Sequence, residues 1–273
     1  MSDVVGAVSV ATGSAAAVTY GITMLNRVIG PSVRTLGLVL GEWSEYRLRN
    51  LLRLTEVADK INSDADGSVH PRVAQRVIEE ATWLDDDVML QYAGGLLAAS
   101  RTPDGKEERG AYYVNMLGGM TSMQVRLHHA IYSALKESNV DVSLAVDSGN
   151  SSTRIWLPLA SLVSVLAAET ISEQLIADQL PDAVIALQRD GLIASHYAMG
   201  DAEFFQEEFE NSGIAEHMLA VIPTQVGVLL FLWAHGLTTS AIDEFFDLDL
   251  HDFDPPRPSV EGAQVGATYD PTK

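Results

Sequence analysis

A chain of 273 residues, 47% hydrophobic and 20% charged, is long enough to bury one large core or two modest ones, and two are expected. Its formal net charge of −20 works against nonspecific adhesion to DNA, RNA or anionic lipid, because those contacts gain from Lys and Arg displacing counterions. The absence of cysteine excludes disulfides, thiolate zinc sites, iron–sulfur clusters and cysteine nucleophiles, and is compatible with a reducing cytoplasm.

The acidity is unevenly spread. Residues 1–136 carry 13 Lys/Arg and 15 Asp/Glu, whereas residues 137–273 carry 4 and 22. No secretory signal is expected, since Asp3 stands where a basic region would be needed. Val4–Asn26 is a run of 23 uncharged residues, which is membrane-spanning length. It consists mostly of Ala, Gly, Ser, Thr and Val, which gain little on leaving water. A buried or oligomer-facing small-residue helix is therefore expected, with Gly6, Gly13, Ala17 and Gly21 close to one face; membrane insertion is the alternative.

Gly30-Pro31 breaks the chain, and Ser32–Ile61 comes next as a predicted long amphipathic helix. It holds the densest basic charge, with Arg47, Arg49 and Arg53 the candidate partner-binding residues, set among Glu42, Glu45, Glu56 and Asp59. Asn62–Ser68 reads as a turn-rich linker, and Pro71 suits the first turn of the next helix. Asp85-Asp86-Asp87 precedes an apolar run, so helix capping is favoured over metal binding. Val88–Ser100 is nearly all apolar. Gly94-Gly95 in its middle costs about 1–2 kcal/mol relative to Ala-Ala, which predicts close approach of another helix. After an Asp104-Gly105 turn, Tyr112–Met120 and Ser122–Lys136 complete a helical first domain.

At Val140 the spacing changes to alternation, VDVSLAVD and then RIWLPL after a turn, as a short hairpin requires. Helices are predicted over Leu159–Glu169 and Pro181–Arg189, the latter closed by Asp190-Gly191. LIASHYAM and HMLAVIP are strand candidates flanking an acidic insertion from Gly200 to Gly213, and Val226–His235 is an apolar closing helix. That order is the order of a winged helix. Its predicted third helix offers DNA only Gln188 and Arg189, and Asp201, Glu203, Glu207, Glu208 and Glu210 at the wing would repel phosphate. A protein-binding or dimerising role is expected instead. DEFFDLDLHDFD over Asp243–Asp254 lacks the spacing and the glycine of a calcium loop, and reads as a disordered acidic–hydrophobic segment. Phe245 and Phe246 are its candidate docking residues, onto a partner or back onto the basic helix as autoinhibition.

No HExxH, GxSxG, GxGxxG or GxxxxGK[ST] occurs, so no catalytic residue, cofactor or metal site is expected. His128-His129 is the one histidine cluster. Neighbouring residues on a helix point about 100° apart and do not easily grip one ion.

Taken in order, GPSVRTLGLVLGEWSEYRLRNLLRLTEVADKI, HPRVAQRVIEEATWLDDDVMLQYAGGLLAAS, ALQRDGLI and VIPTQVGVLLFLWA resemble the bacterial abortive-infection alpha family, over about residues 28–236. The most specific piece is the acidic break and Leu-Leu-Ala-Ala-Ser helix of Asp85–Ser100, and the chain departs from the family's pattern at Ile222–Gly227. The resemblance implies a helical protein with a winged-helix-like C-terminal part and a role in phage defence, and it carries over no catalytic residues. The expected fold is mainly α: an apolar segment 1–30, a helical core 31–139, a winged-helix-like domain with a short β-hairpin 140–240, and an acidic disordered tail 241–273. The expected function is non-enzymatic, through a protein partner or homo-oligomerisation, in the cytoplasm and without nucleic acid. A membrane-acting effector using residues 4–26 and a winged-helix transcription regulator are the alternatives.

Overall fold

The computed structural model describes residues 45–61, 67–81, 83–84, 86–138, 153–167, 172–209, 214, 216–238, 245–250, 253 and 258–267, with the backbone alone for 45–48. Val4–Asn26, the first part of the helix predicted from Ser32, Asp85 and the stretch 139–152 lie outside these residues. The protein is mainly α-helical with small antiparallel sheets; nine helices fall among the described residues. None of them is long and apolar enough to cross a membrane. The chain forms two compact units. Met1–Met120 with Leu232–Thr238 and Leu250–Asp252 make the first; Thr121–Phe231 with Thr239–Asp249 and Phe253–Lys273 make the second. The change of unit thus falls at 120/121, earlier than the 139/140 expected, because the helix after Met120 packs with elements C-terminal to it.

In the first unit, α1 (Glu45–Ile61) packs most extensively on α3 (Asp87–Ala99), and α2 (Pro71–Ala81) and α4 (Gly110–Gly118) pack on α3 and on each other. Two-residue strands β1 (Ser68–Val69) and β2 (Arg101–Thr102) pair beside the Asp104-Gly105 turn, where Asp104 accepts from Lys106 N–H (3.2 Å) and Gly105 takes φ +63°. The acidic break caps a helix: the Asp86 carboxylate accepts from the N–H groups of Val88 (2.9 Å) and Met89 (3.3 Å), satisfying donors that the first turn cannot. All of α3 from Val88 to Ala99 is buried, and its two glycines face different neighbours. A Cβ on Gly94 would overlap the Val57 side chain of α1, and one on Gly95 would overlap the Ala234 carbonyl oxygen. The close approach predicted from Gly94-Gly95 is present on two sides of the helix.

The second unit begins with α5 (Ser122–Glu137), opened by a capping box: Gln124 N–H donates to Thr121 Oγ1 (3.3 Å) and Thr121 N–H to Gln124 Oε1 (2.9 Å). Then come β3 (Arg154–Pro158), α6 (Leu159–Leu166), α7 (Glu173–Arg189), β4 (Ala198–Gly200), α8 (Ala202–Glu208), β5 (Met218–Val221), α9 (Gln225–Ala234), in which the change of unit falls, and β6 (Gln264–Gly266). The helices α5, α6 and α7 pack on one another. The strands form one antiparallel sheet in the order β4-β5-β3-β6, with Trp156 opposite Ala220 and Gln264, and Ala220 opposite Ala198.

Side chains alternate across the sheet. Trp156, Ala198, Met218 and Ala220 form a cluster closed by Phe205 of α8 and by Ile214, while Ile155, Leu157, Leu219 and Val221 are buried on the other face. Two expectations are corrected. The acidic insertion after Gly200 contains a helix, because Asp201 caps it (Phe204 N–H to Oδ1, 2.9 Å) and Phe205 gives it a side chain to bury. The stretch expected as a disordered tail supplies β6 and the fully buried Phe245. Lys136 holds its turn, the Nζ donating to the carbonyls of Phe245 (2.9 Å), Phe246 (2.6 Å) and Leu248 (2.8 Å) and lying 5.6 Å from the Phe245 ring centre. Burial lowers the Lys136 pKa, and Asp247 and Asp249 oppose that shift.

Gly95→Ala should destabilise the protein by about 3 kcal/mol, since backbone has to move to admit the methyl group. Gly119→Ala, whose Cβ meets nothing closer than 3.5 Å, should be neutral or stabilise by about 0.5 kcal/mol in the same urea titrations. Lys136→Met should cost about 2 kcal/mol through three carbonyls stripped of a charged donor, and should speed proteolytic cleavage near Phe245.

Candidate partner-binding surface

Among the described residues of the second unit, the exposed large apolar side chains are Leu175 and Ile185 of α7 and Phe204 of α8. Ser172 caps α7, its Oγ accepting from Leu175 N–H (3.3 Å), and Glu173 in the first turn complements the helix dipole. The helix therefore starts eight residues before Pro181, the residue whose preference for a first turn suggests a start there. At the other end Gly191 takes φ +71° and Leu192 N–H returns to the Leu187 carbonyl (2.8 Å), a Schellman closure. Ile176, Leu180, Ala183, Val184 and Leu187 are buried. With 100° per residue, Leu175, Asp178, Asp182, Ile185 and Arg189 fall in one outward stripe less than about 90° wide. Leu175 is 45% exposed and Ile185 50%. The Arg189 guanidinium is held by its neighbour, Nε and NH2 donating to the two Asp190 carboxylate oxygens at 2.8 and 2.9 Å, and that pairing raises its pKa.

Beside this stripe runs an open groove of about 890 Å³ between α6, α7 and β4. Leu159, Val163, Ala177, Leu180, Pro181 and Met199 give it an apolar lining, and Glu173, Gln174 and His217 are its polar groups. Pro181 has no N–H to offer the Ala177 carbonyl, so that carbonyl on the groove wall lacks its usual i+4 donor. At the β4 end, Gly200 is packed under Phe204, which is 40% exposed.

A buried polar network fixes the end of α7. Tyr132 Oη donates to the Leu192 carbonyl (2.5 Å) and accepts from Thr224 N–H (3.1 Å); Thr224 Oγ1 donates to the Gly191 carbonyl (2.7 Å) and accepts from Gly227 N–H (3.1 Å). Any Cβ on Gly227 would overlap the Tyr132 hydroxyl. Burial pushes the Tyr132 pKa up to about 12, with the hydrogen bonds from Thr224 opposing the shift. His128 is buried with its Nε2 3.1 Å from the Gly227 carbonyl, while His129 packs at a tilt against Phe253 with ring centres 4.6 Å apart. The two histidines face different partners. Among the described residues no group of three His, Asp or Glu could hold a metal ion.

The candidate residues of the sequence occupy separate places. Arg47, Arg49 and Arg53 lie on α1 in the first unit; the Arg47 side chain is outside the described residues and Arg49 is exposed. Arg53 forms an ion pair with Asp87 in the first turn of α3, about half exposed on both sides, which contributes little to stability. Phe245 is corrected as a docking anchor. It is fully buried against Phe231, ring centres 6.2 Å apart, and half-buried Phe246 meets it edge-on at 5.0 Å. Sequence reasoning misses the stripe and the groove because Pro181 reads as a helix start. The apolar spacing Ile176, Leu180, Ala183, Val184 and Leu187 runs through Pro181 and is the signal that could find them.

Comparison with protein-family models, with curated proteins and with solved structures finds no match for this chain.

The neutral Tyr132 phenol is the form the folded state holds, whereas the unfolded chain ionises near 10.0. The unfolded state therefore loses its proton first as pH rises. The corresponding stability is fully present below pH 10 and lost on the way to about pH 12, an effect of about 3 kcal/mol. Tyr132→Phe should lower stability at pH 7 by about 2 kcal/mol, by leaving the Thr224 N–H and the Leu192 carbonyl without their partner. It should also flatten the decline between pH 10 and 12, as read by urea midpoints across that range.

Proposed function

We propose that the protein acts in defence against phage by binding another protein, in keeping with its resemblance to the abortive-infection alpha family, and that its second unit is a winged-helix-like module used for protein contact. The order α5-β3-α6-α7-β4-β5, with strands in the order β4-β5-β3, supports that description of the module. The observation that carries the reading is the outward stripe of α7, the helix a DNA-reading winged helix would lay in the major groove. Its exposed groups are Leu175, Asp178, Asp182 and Ile185, and the one cation, Arg189, is engaged by Asp190. Two carboxylates at that position would face phosphate, and no counterion release offsets the repulsion. Exposed Leu and Ile side chains on the same stripe suit a protein surface, where apolar anchors supply the affinity.

A two-fold contact between copies through this stripe would bring Asp178 and Asp182 of both copies to one seam. Like charges there oppose self-association by this face, so a different protein is the favoured partner.

Leu175→Asp with Ile185→Asp alters only exposed positions and should leave the melting temperature nearly unchanged. In a bacterial host expressing the full chain, this double variant should lose at least about tenfold of the protection against phage plating, the loss expected when central apolar anchors of an interface are removed. Undiminished protection would remove α7 from the mechanism. Salt-sensitive duplex DNA binding abolished by Arg189→Ala would favour the transcription-regulator reading instead.

A further inference from the structure

We infer that the groove between α6 and α7 receives a cationic amphipathic helix of the partner, apolar face down. The inference deepens the protein-binding role proposed above and rests on it.

Two features of the surface select this occupant. The lining is apolar and open along α7, as a helix-in-groove contact requires. The surrounding charge is mostly acidic. Glu173 stands in the groove, and Asp178 and Asp182 come next on the adjoining stripe of α7. Glu203 and Glu207 stand exposed on α8 beyond Phe204, and Glu216 precedes β5. The basic groups on and against these elements are His217 in the groove, Arg189, which Asp190 neutralises, Arg126 at the Leu166 carbonyl that ends α6, and Arg154 over the Phe209 ring beside Glu208. Leu, Ile or Met side chains of the incoming helix would enter over Val163, Ala177 and Met199, while its Lys or Arg residues met the acids at the rim. A neutral apolar ligand would leave those carboxylates unmatched. A second copy of α7 would add more of them.

The test uses the purified full chain and a labelled synthetic peptide of Leu and Lys, about 18 residues and five helical turns long, with Leu at i, i+3, i+4 and i+7. The control peptide has the same composition with Leu spread around the helix. Fluorescence anisotropy should show the amphipathic peptide binding at least about tenfold more tightly than the control, because charge alone favours both equally. Ala177→Trp, which fills the groove from an exposed position, should weaken the amphipathic peptide about tenfold, and Glu173→Lys with Asp178→Lys should do the same while flattening the salt dependence. Amide exchange should slow over Leu159–Val163 and Glu173–Pro181 when the peptide is bound. Equal affinity for the two peptides, undiminished binding by Ala177→Trp, or protection confined to other segments would overturn the inference. Phage plating reports on the proposed role and peptide binding on the chemistry of the groove, so either can fail while the other stands.

Discussion

The Tyr132 hydroxyl is buried between a carbonyl it donates to, at Leu192, and an N–H it accepts from, at Thr224. A buried hydroxyl without both partners costs free energy of the order of the bonds it lacks, so the segments that provide them are held where they are. One is the turn that closes α7, the other the entry to α9, and Thr224 ties the two together by donating to Gly191 and capping Gly227. Space at the hydroxyl exists because position 227 has no side chain. The Ile193–Pro223 bridge and the Ala194 N–H to Ile222 carbonyl bond (3.0 Å) begin immediately beyond, so the base of the β4–β5 hairpin is set by the same network. With its last turn fixed and its buried side set by Ile176, Leu180 and Val184, α7 has one rotation available, and that rotation sends Leu175, Asp178, Asp182 and Ile185 outward.

A related constraint governs the first unit. Two adjacent glycines weaken a helix in isolation. In α3 they remove the side chains that would otherwise separate it from α1 at Gly94 and from the Ala234 carbonyl at Gly95. Because adjacent helical residues point about 100° apart, the pair serves two neighbours rather than one. A helix buried around its whole circumference needs its termini satisfied from outside, and Asp86 does this at the first turn while Ser100 N–H returns to the Leu96 carbonyl at the last (3.1 Å).

The legible features of the sequence are local ones. The spacing of apolar residues locates α2 through α5 and α9 to within a residue or two, Asp86 announces a cap, Asp104-Gly105 a turn, and Gly94-Gly95 a close approach. Each of these is decided within a few positions of the chain. The failures involve either competing local signals or distant partners. Pro181 is at home in a first turn, and that preference obscures a helix whose cap, Ser172, lies nine residues earlier; packing of Ile176 and Leu180 keeps the proline inside it. The acids around Phe204 and Phe205 read as an acidic insertion between two strands, although a single buried phenylalanine and an aspartate cap suffice for a short helix once Trp156 is available to pack on. Phe245 alternates with acids in sequence and looks unfoldable alone. Its burial depends on Lys136, 109 residues away, whose ammonium caps the turn's carbonyls. The groove is equally invisible, since it exists between elements rather than within one.

Exposed apolar side chains on a helix carry a risk of indiscriminate association, and the acidic half of this chain places its charge where it limits that risk. Asp178 and Asp182 sit between Leu175 and Ile185 on the same stripe, so a second copy, a nucleic acid or an anionic bilayer approaching those side chains meets carboxylates first. The repulsion is of short range at physiological ionic strength, falling off over about 8 Å, which makes it a filter at contact rather than a field around the molecule. A filter of this kind discriminates by difference: it leaves the apolar contact area intact and penalises every partner that lacks compensating cations. The net charge of −20 alone would say only that the protein avoids polyanions. Its placement beside exposed Leu and Ile, along a helix whose one arginine is already engaged, is the physical basis of the proposed preference for basic, amphipathic partners.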